Sequence, residues 1–176
     1  TKCLNIDEFS IRKRHEYAVA ISDPHNQKII NILPSRKKND LINHFKEEWT
    51  EEQRAKIEAV SIDMWGAYKT VIEEVFPNAI VVADKFHLVK KVSDALDEIR
   101  KEVKRDASSA NEAKFYKSRN LLRKNGEDLT DEDHEKLIEL FRLSPALQRA
   151  WELKEEFRDV LQINRINEAK NALNDW

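Results

Sequence analysis

The chain has 176 residues, enough for one domain or a compact pair with a core that needs no metals or disulfides. Its 31 Lys and Arg residues nearly balance 33 Asp and Glu residues, so the formal charge is −2 and no overall basic excess points to nucleic acid. Because there are only 2 glycines and 1 cysteine, the composition argues against glycine-rich phosphate loops, many-hairpin β folds and cysteine-based zinc sites.

The first half of the chain carries most of the Val, Ile and Thr residues, which favours strands there. Strands are predicted over residues 4–9, 16–22, 28–33, 59–64 and 79–83, the last of them buried. Asp23-Pro24-His25-Asn26 supplies a turn between the second and third strands. Helical spacing over residues 41–49 and 67–76, and a capping box from Thr50 to Gln53, complete the order β-β-β-α-β-α-β-α.

The second half is predicted to be wholly helical, because apolar residues recur there every three or four positions. The stripe of the long helix after the last strand is formed by Leu88, Val92, Leu96, Ile99 and Val103. Further helices are predicted to start near Thr130 and at Ser144-Pro145, with a loop at Asn125-Gly126. The chain opens on Thr1 and closes within an amphipathic stretch at Trp176, so we expect a fragment of a longer protein.

Three aspartates fall at predicted strand ends: Asp7, Asp63 and Asp84. The β-β-β-α-β order places the first strand beside the fourth, which brings Asp7 next to Asp63. Adjacent carboxylates repel unless a cation neutralises them, and oxygen ligands select Mg²⁺ or Mn²⁺. Two such ions can promote phosphodiester cleavage, as in a ribonuclease H-like site. Hydrogen-bonded structural aspartates at strand ends remain the alternative.

Three ordered strings carry a family resemblance: IDEF at residues 6–9, SIDMWGAY at residues 61–68 and FPNAIVVADKFH at residues 76–87. Together they resemble the transposases of bacterial insertion sequences, most closely the ISL-three family of DDE transposases. The resemblance spans roughly residues 4–100 and continues more weakly through the helical part.

The resemblance implies an α/β fold: a ribonuclease H-like core with a mixed five-stranded sheet over residues 1–105, followed by an all-helical insertion over residues 106–176. In this family two Asp and one Glu bind two Mg²⁺ ions. The enzyme nicks DNA at the transposon end and joins the freed 3′-hydroxyl to target DNA. Asp7 matches the first acid and Asp63 the second.

The string Asp84-x-x-His87 resembles a Cys/Asp-x-x-His element of related Mutator-like transposases. We expect a structural His87 bonded to Asp84, and the alternatives are an orienting role behind the metal ligands or a DNA contact. A rival alignment makes Asp84 the second catalytic acid.

The third acid of the family lies in a Glu-Gly-x-Asn-like segment, and that string does not occur in this sequence. Glu98, Glu102, Glu155 and Glu168 lie on predicted helices, but none has that context, so none is assigned. The fragment is therefore expected to be nearly inactive by itself. A ribonuclease H-like nuclease or resolvase, or a degraded transposase core that serves as a nucleic-acid-binding module, remains an alternative.

Several basic residues flank the predicted site and are candidate contacts to DNA phosphates, although solvated surface charge is the simpler interpretation of each. They are Arg12, Lys13, Arg14, Lys37, Lys38, Lys90 and Lys91. The expected partners are transposon-end and target DNA, with a homo-oligomer in the full-length complex. A cytoplasmic protein without membrane contact is expected, because the sequence has neither a signal peptide nor a spanning apolar run.

Overall fold

The computed structural model describes residues 1–12, 16–63 and 66–176, and the chain divides into two compact units, Thr1–His87 and Leu88–Trp176. The predicted DNA contacts Lys13 and Arg14, and Met64 at the predicted end of the fourth strand, lie outside the described residues. The division predicted at residue 105 stays a prediction.

The first unit is built on one five-stranded mixed sheet in the order β3-β2-β1-β4-β5. The strands are β1 (Cys3–Arg12), β2 (Glu16–Asp23), β3 (Lys28–Leu33), β4 (Ala59–Ile62) and β5 (Ile80–Ala83). β1, β2 and β3 pair antiparallel, whereas β1, β4 and β5 are parallel. The predicted neighbourhood of the first and fourth strands is confirmed, and the topology is compatible with the ribonuclease H-like core that the resemblance implies.

Three helices of the first unit connect these strands: α1 (Lys38–Glu48), α2 (Glu51–Ala55) and α3 (Gly66–Val75). The predicted capping box at the start of α2 is confirmed, since the Thr50 hydroxyl accepts the Gln53 N–H and the Gln53 side chain accepts the Thr50 N–H. Apolar side chains of α1 and α3 pack on one face of the sheet. The core they form includes Leu4, Ile6, Val60, Ile62, Leu41, Phe45, Val71 and Ile72.

The face of the sheet opposite α1 and α3 is more open. Successive side chains of a strand point to alternate faces, so the residues between the core positions lie on this open face. Ile6 is buried in the core, and Asp7 therefore lies on the other face of β1. The prediction that the last strand is buried is wrong: β5 is an edge strand, and Ile80 and Val82 are 66% and 41% exposed. Only its alternate residue Val81 packs against the core.

Helices make up the second unit, where the long helix α4 (Lys85–Asp106) begins at the end of the first unit. It is followed by α5 (Ser109–Lys117), α6 (Arg119–Arg123), α7 (Asp131–Leu143), α8 (Pro145–Val160) and α9 (Ile166–Asp175). The predicted starts of α7 and α8 are confirmed, with Thr130 and Ser144 as the capping residues. None of the helices in the described ranges is both long enough and apolar enough to cross a membrane.

The core of the second unit contains Leu96, Phe115, Leu122, Leu137, Leu140 and Leu147. Beside it lies the side chain of Lys154, which is 1% exposed. Its ammonium group donates to the carbonyls of Leu122 and Lys124 at 3.0 and 2.6 Å and pairs with Glu155. Burial lowers the pKa of Lys154, although the Glu155 carboxylate opposes that shift. This lysine joins α8 to the end of α6.

Candidate functional site

Asp7 and Asp63 meet at the imidazole ring of His87. The Nε2 atom of His87 lies 3.6 Å from Oδ1 of Asp7, and its Nδ1 atom lies 3.3 Å from Oδ1 of Asp63. The histidine side chain is 20% exposed, while the carboxylates of Asp7 and Asp63 are 48% and 35% exposed. The two acids therefore share one side-chain neighbour, and all three side chains are partly exposed to solvent.

Strand register explains why these residues converge. Ile6 of β1 pairs with Ile62 of β4, so Asp7 and Asp63 each come one residue after a paired position. The next strand continues the row, because Ile62 pairs with Ala83 and the Ile62 carbonyl accepts the Asp84 N–H at 2.9 Å. The prediction that Asp7 ends its strand is wrong, because β1 continues to Arg12, whereas Asp63 and Asp84 follow the carboxyl ends of β4 and β5, where ligand sites commonly lie. The first turn of α4 then brings His87 back over these strand ends.

Asp84 caps a helix and does not form the expected bond to His87. Its Oδ1 atom accepts the backbone N–H of Phe86 at 2.8 Å, which is the bond of an N-capping residue at the start of α4. His87 pairs with Asp7 and Asp63 instead of forming the expected bond to Asp84. The Asp84 carboxylate thus fixes the start of the helix that carries His87.

Sequence reasoning missed a second network, which is centred on Glu8. One carboxylate oxygen of Glu8 accepts from Arg36 at 3.0 Å, and the other accepts the hydroxyl of Tyr68 at 3.3 Å. The Arg36 guanidinium also stacks on Tyr17, 4.2 Å from the ring centroid. Both Glu8 and Tyr68 belong to the strings that carry the family resemblance, and this was the available signal.

Tyr68 is a hydrogen-bond donor at neutral pH. Its side chain is buried in the core, and this burial, followed by the nearby Glu8 carboxylate, raises the pKa of Tyr68 above its ordinary value. The phenol therefore stays protonated, and its hydroxyl donates a hydrogen bond to Glu8. Because Tyr68 lies on α3 and Glu8 on β1, the bond fixes this helix against the strand that carries Asp7.

The donor set at the sheet edge suits a hard divalent cation. Asp7 and Asp63 offer carboxylate oxygens, which are the ligands that Mg²⁺ and Mn²⁺ prefer. Within residues 1–12, 16–63 and 66–176, however, no group of three or more His, Cys, Asp or Glu side chains is arranged to hold a metal ion.

The basic residues predicted to contact DNA lie on the surface wherever the structure describes them. Arg12 ends β1, Lys37 precedes α1 and Lys38 begins it, and all three are exposed. Lys37 also lines a surface pocket of about 540 Å³ beside Arg36 and Tyr17. Lys90 and Lys91 are exposed on α4, in the second unit.

The glutamates on the later helices form local ion pairs. Glu98 pairs with Lys101, Glu102 with Arg105, and Glu168 with Arg165. Glu155 is bound more extensively, since it pairs with Lys154 and Arg158 and accepts the Gly126 N–H at 2.8 Å. These contacts account for the four side chains within the helical unit.

Comparison with known proteins identifies related sequences. A family model described as a transposase matches residues 4–176. The chain is 30% identical to the transposase for insertion sequence element IS1001 of Bordetella parapertussis, over 98% of this chain and 43% of that protein. It is also 30% identical to the transposase for insertion sequence element IS1557 of Mycobacterium tuberculosis, over 98% of this chain and 44% of that protein.

The chain thus spans less than half the length of these curated relatives. No solved structure matches it significantly.

Proposed function

We propose a function from one premise: the chain belongs to the ISL3 (ISL-three) family of DDE transposases. In this proposal it is the part of a transposase that contains two of the three catalytic acids. The whole protein cleaves DNA at the ends of an insertion sequence and joins the freed 3′-hydroxyl to target DNA. Residues 1–105 would form the catalytic core and residues 106–176 a helical insertion.

The convergence of Asp7, within β1, and Asp63, directly after β4, is the observation that supports this function most directly. Both acids come from the strings that carry the family resemblance, and both are open to solvent. We propose them as the ligands of Mg²⁺ or Mn²⁺, which when bound would activate the attacking oxygen and stabilise the leaving oxygen of the scissile phosphate.

The residues of the chain have separate roles in this proposal. Asp7 and Asp63 supply negative charge at a fixed separation, because each is carried by one of two hydrogen-bonded strands. His87 contacts both carboxylates and orients them. Asp84 holds the first turn of the helix that carries His87. The third acid would come from outside this chain, so the chain alone would have little or no activity.

Binding of Mn²⁺ by the isolated chain, measured by calorimetry or by electron paramagnetic resonance, tests the assignment. Asp7→Asn and Asp63→Asn should each weaken binding at least about tenfold, since even the groups that orient a metal ligand contribute about 10- to 100-fold. Asp84→Asn is the matched control, because asparagine is an equally good N-cap and α4 should stay in place. Unchanged affinity in both Asp7→Asn and Asp63→Asn would contradict the proposal.

The same variants also discriminate between the two alignments of the second acid. A loss of Mn²⁺ affinity in Asp84→Asn that matches the loss in Asp7→Asn, with Asp63→Asn unaffected, would support Asp84 as the second ligand.

Strand-transfer assays on the full-length protein test the reaction itself. With labelled transposon-end DNA and a plasmid target, the wild type should give joined products, and Asp7→Asn and Asp63→Asn should give neither nicked nor joined DNA. Nicking without joining by the wild type would favour a nuclease or resolvase. The proposed partners are therefore DNA ends and target DNA, handled in the cytoplasm by an oligomer of the whole protein.

A further inference from the structure

A basic groove lies within the helical unit, between α4 and the segment where α5 meets α6. It encloses about 440 Å³ and is lined by Arg100, Lys101, Lys117, Arg119, Tyr116 and Asp97. We propose that this groove binds the phosphate backbone of double-stranded DNA. The proposal rests on the proposed function, to which it adds a DNA contact in the helical unit.

The floor of the groove is a buried ion pair. Asp97 is 6% exposed and accepts from Nε of Arg100 at 2.8 Å, while another guanidinium nitrogen of Arg100 donates to the Phe115 carbonyl at 3.0 Å. A buried pair with these hydrogen bonds holds both side chains in one geometry. The groove is therefore a preorganised part of the fold.

Positive charge exceeds negative charge in this groove. Asp97 lies 3.3 Å from Lys101 and 3.6 Å from Arg119, in addition to its bond with Arg100. Asp97 thus faces three cations, of which Lys101 also pairs with Glu98, and Lys117 adds a fourth basic side chain to the lining. Because two carboxylates cannot neutralise four cations, the groove keeps a net positive charge that favours an anionic ligand.

The sequence around the groove is also rich in basic residues. Residues 100–124 contain nine Lys and Arg but three Asp and Glu, whereas residues 125–139 contain one Lys and seven Asp and Glu. The near-neutral total of the chain therefore conceals two oppositely charged segments of the helical unit. Lys114 and Lys124 pair with Glu139 and Asp133 of the acidic segment, so the positive charge at the groove comes from the other basic side chains, which include Lys117 and Arg119.

The chemistry of the lining side chains fits phosphodiesters. Lys117 and Arg119 are exposed and lie on two consecutive helices, so they can contact successive phosphates of one strand. An arginine fork can hold two phosphate oxygens at once. At the rim, Tyr116 is 67% exposed, and the ammonium group of Lys104 lies 5.2 Å from its ring centroid. Lys104, which pairs with Glu112, places a further basic side chain at this rim.

Fluorescence anisotropy with a labelled mixed-sequence 30-base-pair DNA duplex tests this proposal on the complete chain. The double variant Lys117→Ala/Arg119→Ala should bind the duplex about tenfold more weakly at low salt. The plot of log affinity against log salt should lose about two units of slope, because each phosphate contact contributes roughly 0.9. Asp97 keeps its contacts to Arg100 and Lys101 in this variant, and circular dichroism checks that the helices remain.

The matched control removes one arginine and one lysine from other exposed positions of the same unit that do not line the groove: Arg142→Ala/Lys170→Ala. It changes the net charge by the same amount, so it should leave both affinity and salt slope near the wild-type values. An equal loss in the control would overturn the proposal, as would undetectable binding by the wild type in 50 mM salt. Displacement of the duplex by an equal charge concentration of polyglutamate would also overturn it, in favour of an acidic polypeptide.

The groove and the proposed function can fail separately. Asp7→Asn should retain duplex affinity and its salt slope, because Asp7 does not line the groove. If the full-length protein shows no strand transfer while Lys117→Ala/Arg119→Ala still weakens duplex binding, only the transposase reaction is refuted. If strand transfer occurs and the groove variant binds like the wild type, only the groove is refuted.

Discussion

Asp7 and Glu8 are adjacent carboxylates with opposite surroundings, because consecutive residues of a strand point to opposite faces of the sheet. Asp7 lies on the open face beside His87. Glu8 lies on the helix side, where Arg36 and Tyr68 satisfy both of its oxygens. Of the two, only Asp7 is therefore available to an incoming ligand, while Glu8 holds β1 against its neighbours.

The variant Tyr68→Phe tests the bond that joins α3 to β1. Removing the hydroxyl should lower the free energy of unfolding by about 1 kcal/mol, since the partially buried Glu8 loses one of its donors. Urea denaturation followed by circular dichroism measures the change. Tyr116→Phe removes the same hydroxyl from a residue that is 67% exposed and should alter stability by less than about 0.5 kcal/mol. Equal changes in the two variants would contradict a role for the Tyr68 hydroxyl.

The meeting of Asp7 with Asp63 was predictable because it depends only on strand order and on position along each strand. The Glu8 network was not predictable, since Arg36 and Tyr68 are 28 and 60 residues away from Glu8 along the chain. Whether these side chains reach Glu8 depends on how α3 and the segment before α1 pack, and residue periodicity does not determine that packing. The same reason applies to His87, whose two partners lie on different strands.

At the level of helices and strands, capping residues are the feature that sequence identified best. The boxes at Thr50 and Thr130 each use a hydroxyl that accepts the N–H three residues later. Such bonds connect neighbours in sequence, and a local pattern is therefore sufficient to find them. At Ser108, by contrast, the N-cap of α5 makes no side-chain capping bond, although its residue type is equally suitable.

Comparing Thr130→Ala with Ser108→Ala tests whether stability depends on the capping hydrogen bond or only on the type of residue at the N-cap. Thr130→Ala should destabilise the helical unit by about 1 kcal/mol, because Asp133 loses the partner of its backbone N–H. Ser108→Ala should cost only a few tenths of a kcal/mol, because it breaks no such bond. Thermal unfolding monitored at 222 nm provides both values. A loss at Ser108 as large as that at Thr130 would show that residue type alone sets the cost.

Two element-scale features were less accessible from sequence. Residues 79–83 read as a buried strand, yet β5 pairs on one side only, so alternate apolar residues remain exposed. The boundary between α5 and α6 at Ser118 was also not predicted. The Ser118 hydroxyl donates to the Phe115 carbonyl and thereby competes with the helical hydrogen bonds. Both outcomes depend on tertiary surroundings rather than on hydrophobic period.

On the scale of the whole molecule, the described residues form two hydrophobic cores that share no residue. One lies between the sheet and helices α1 and α3, and the other is formed by helices α4 to α8. The change from β-branched to helix-favouring residues along the sequence reflects this organisation. Composition changes at His87, where the two compact units also divide, within the first turn of α4.

Separate cores predict separate responses to mutation. Ile72→Val removes one methyl group from the first core and should cost about 0.5–1.5 kcal/mol, whereas Leu147→Ala opens a cavity in the second and should cost about 2–5 kcal/mol. Hydrogen exchange measured by mass spectrometry should show lost protection within Thr1–His87 for the first variant and within Leu88–Trp176 for the second. The double variant should show the sum of the two patterns, because each residue belongs to a different core. If Leu147→Ala also reduced protection in β1 and β4, the two cores would form one cooperative unit, and the groove variants above would have to be checked for effects on Asp7 and Asp63.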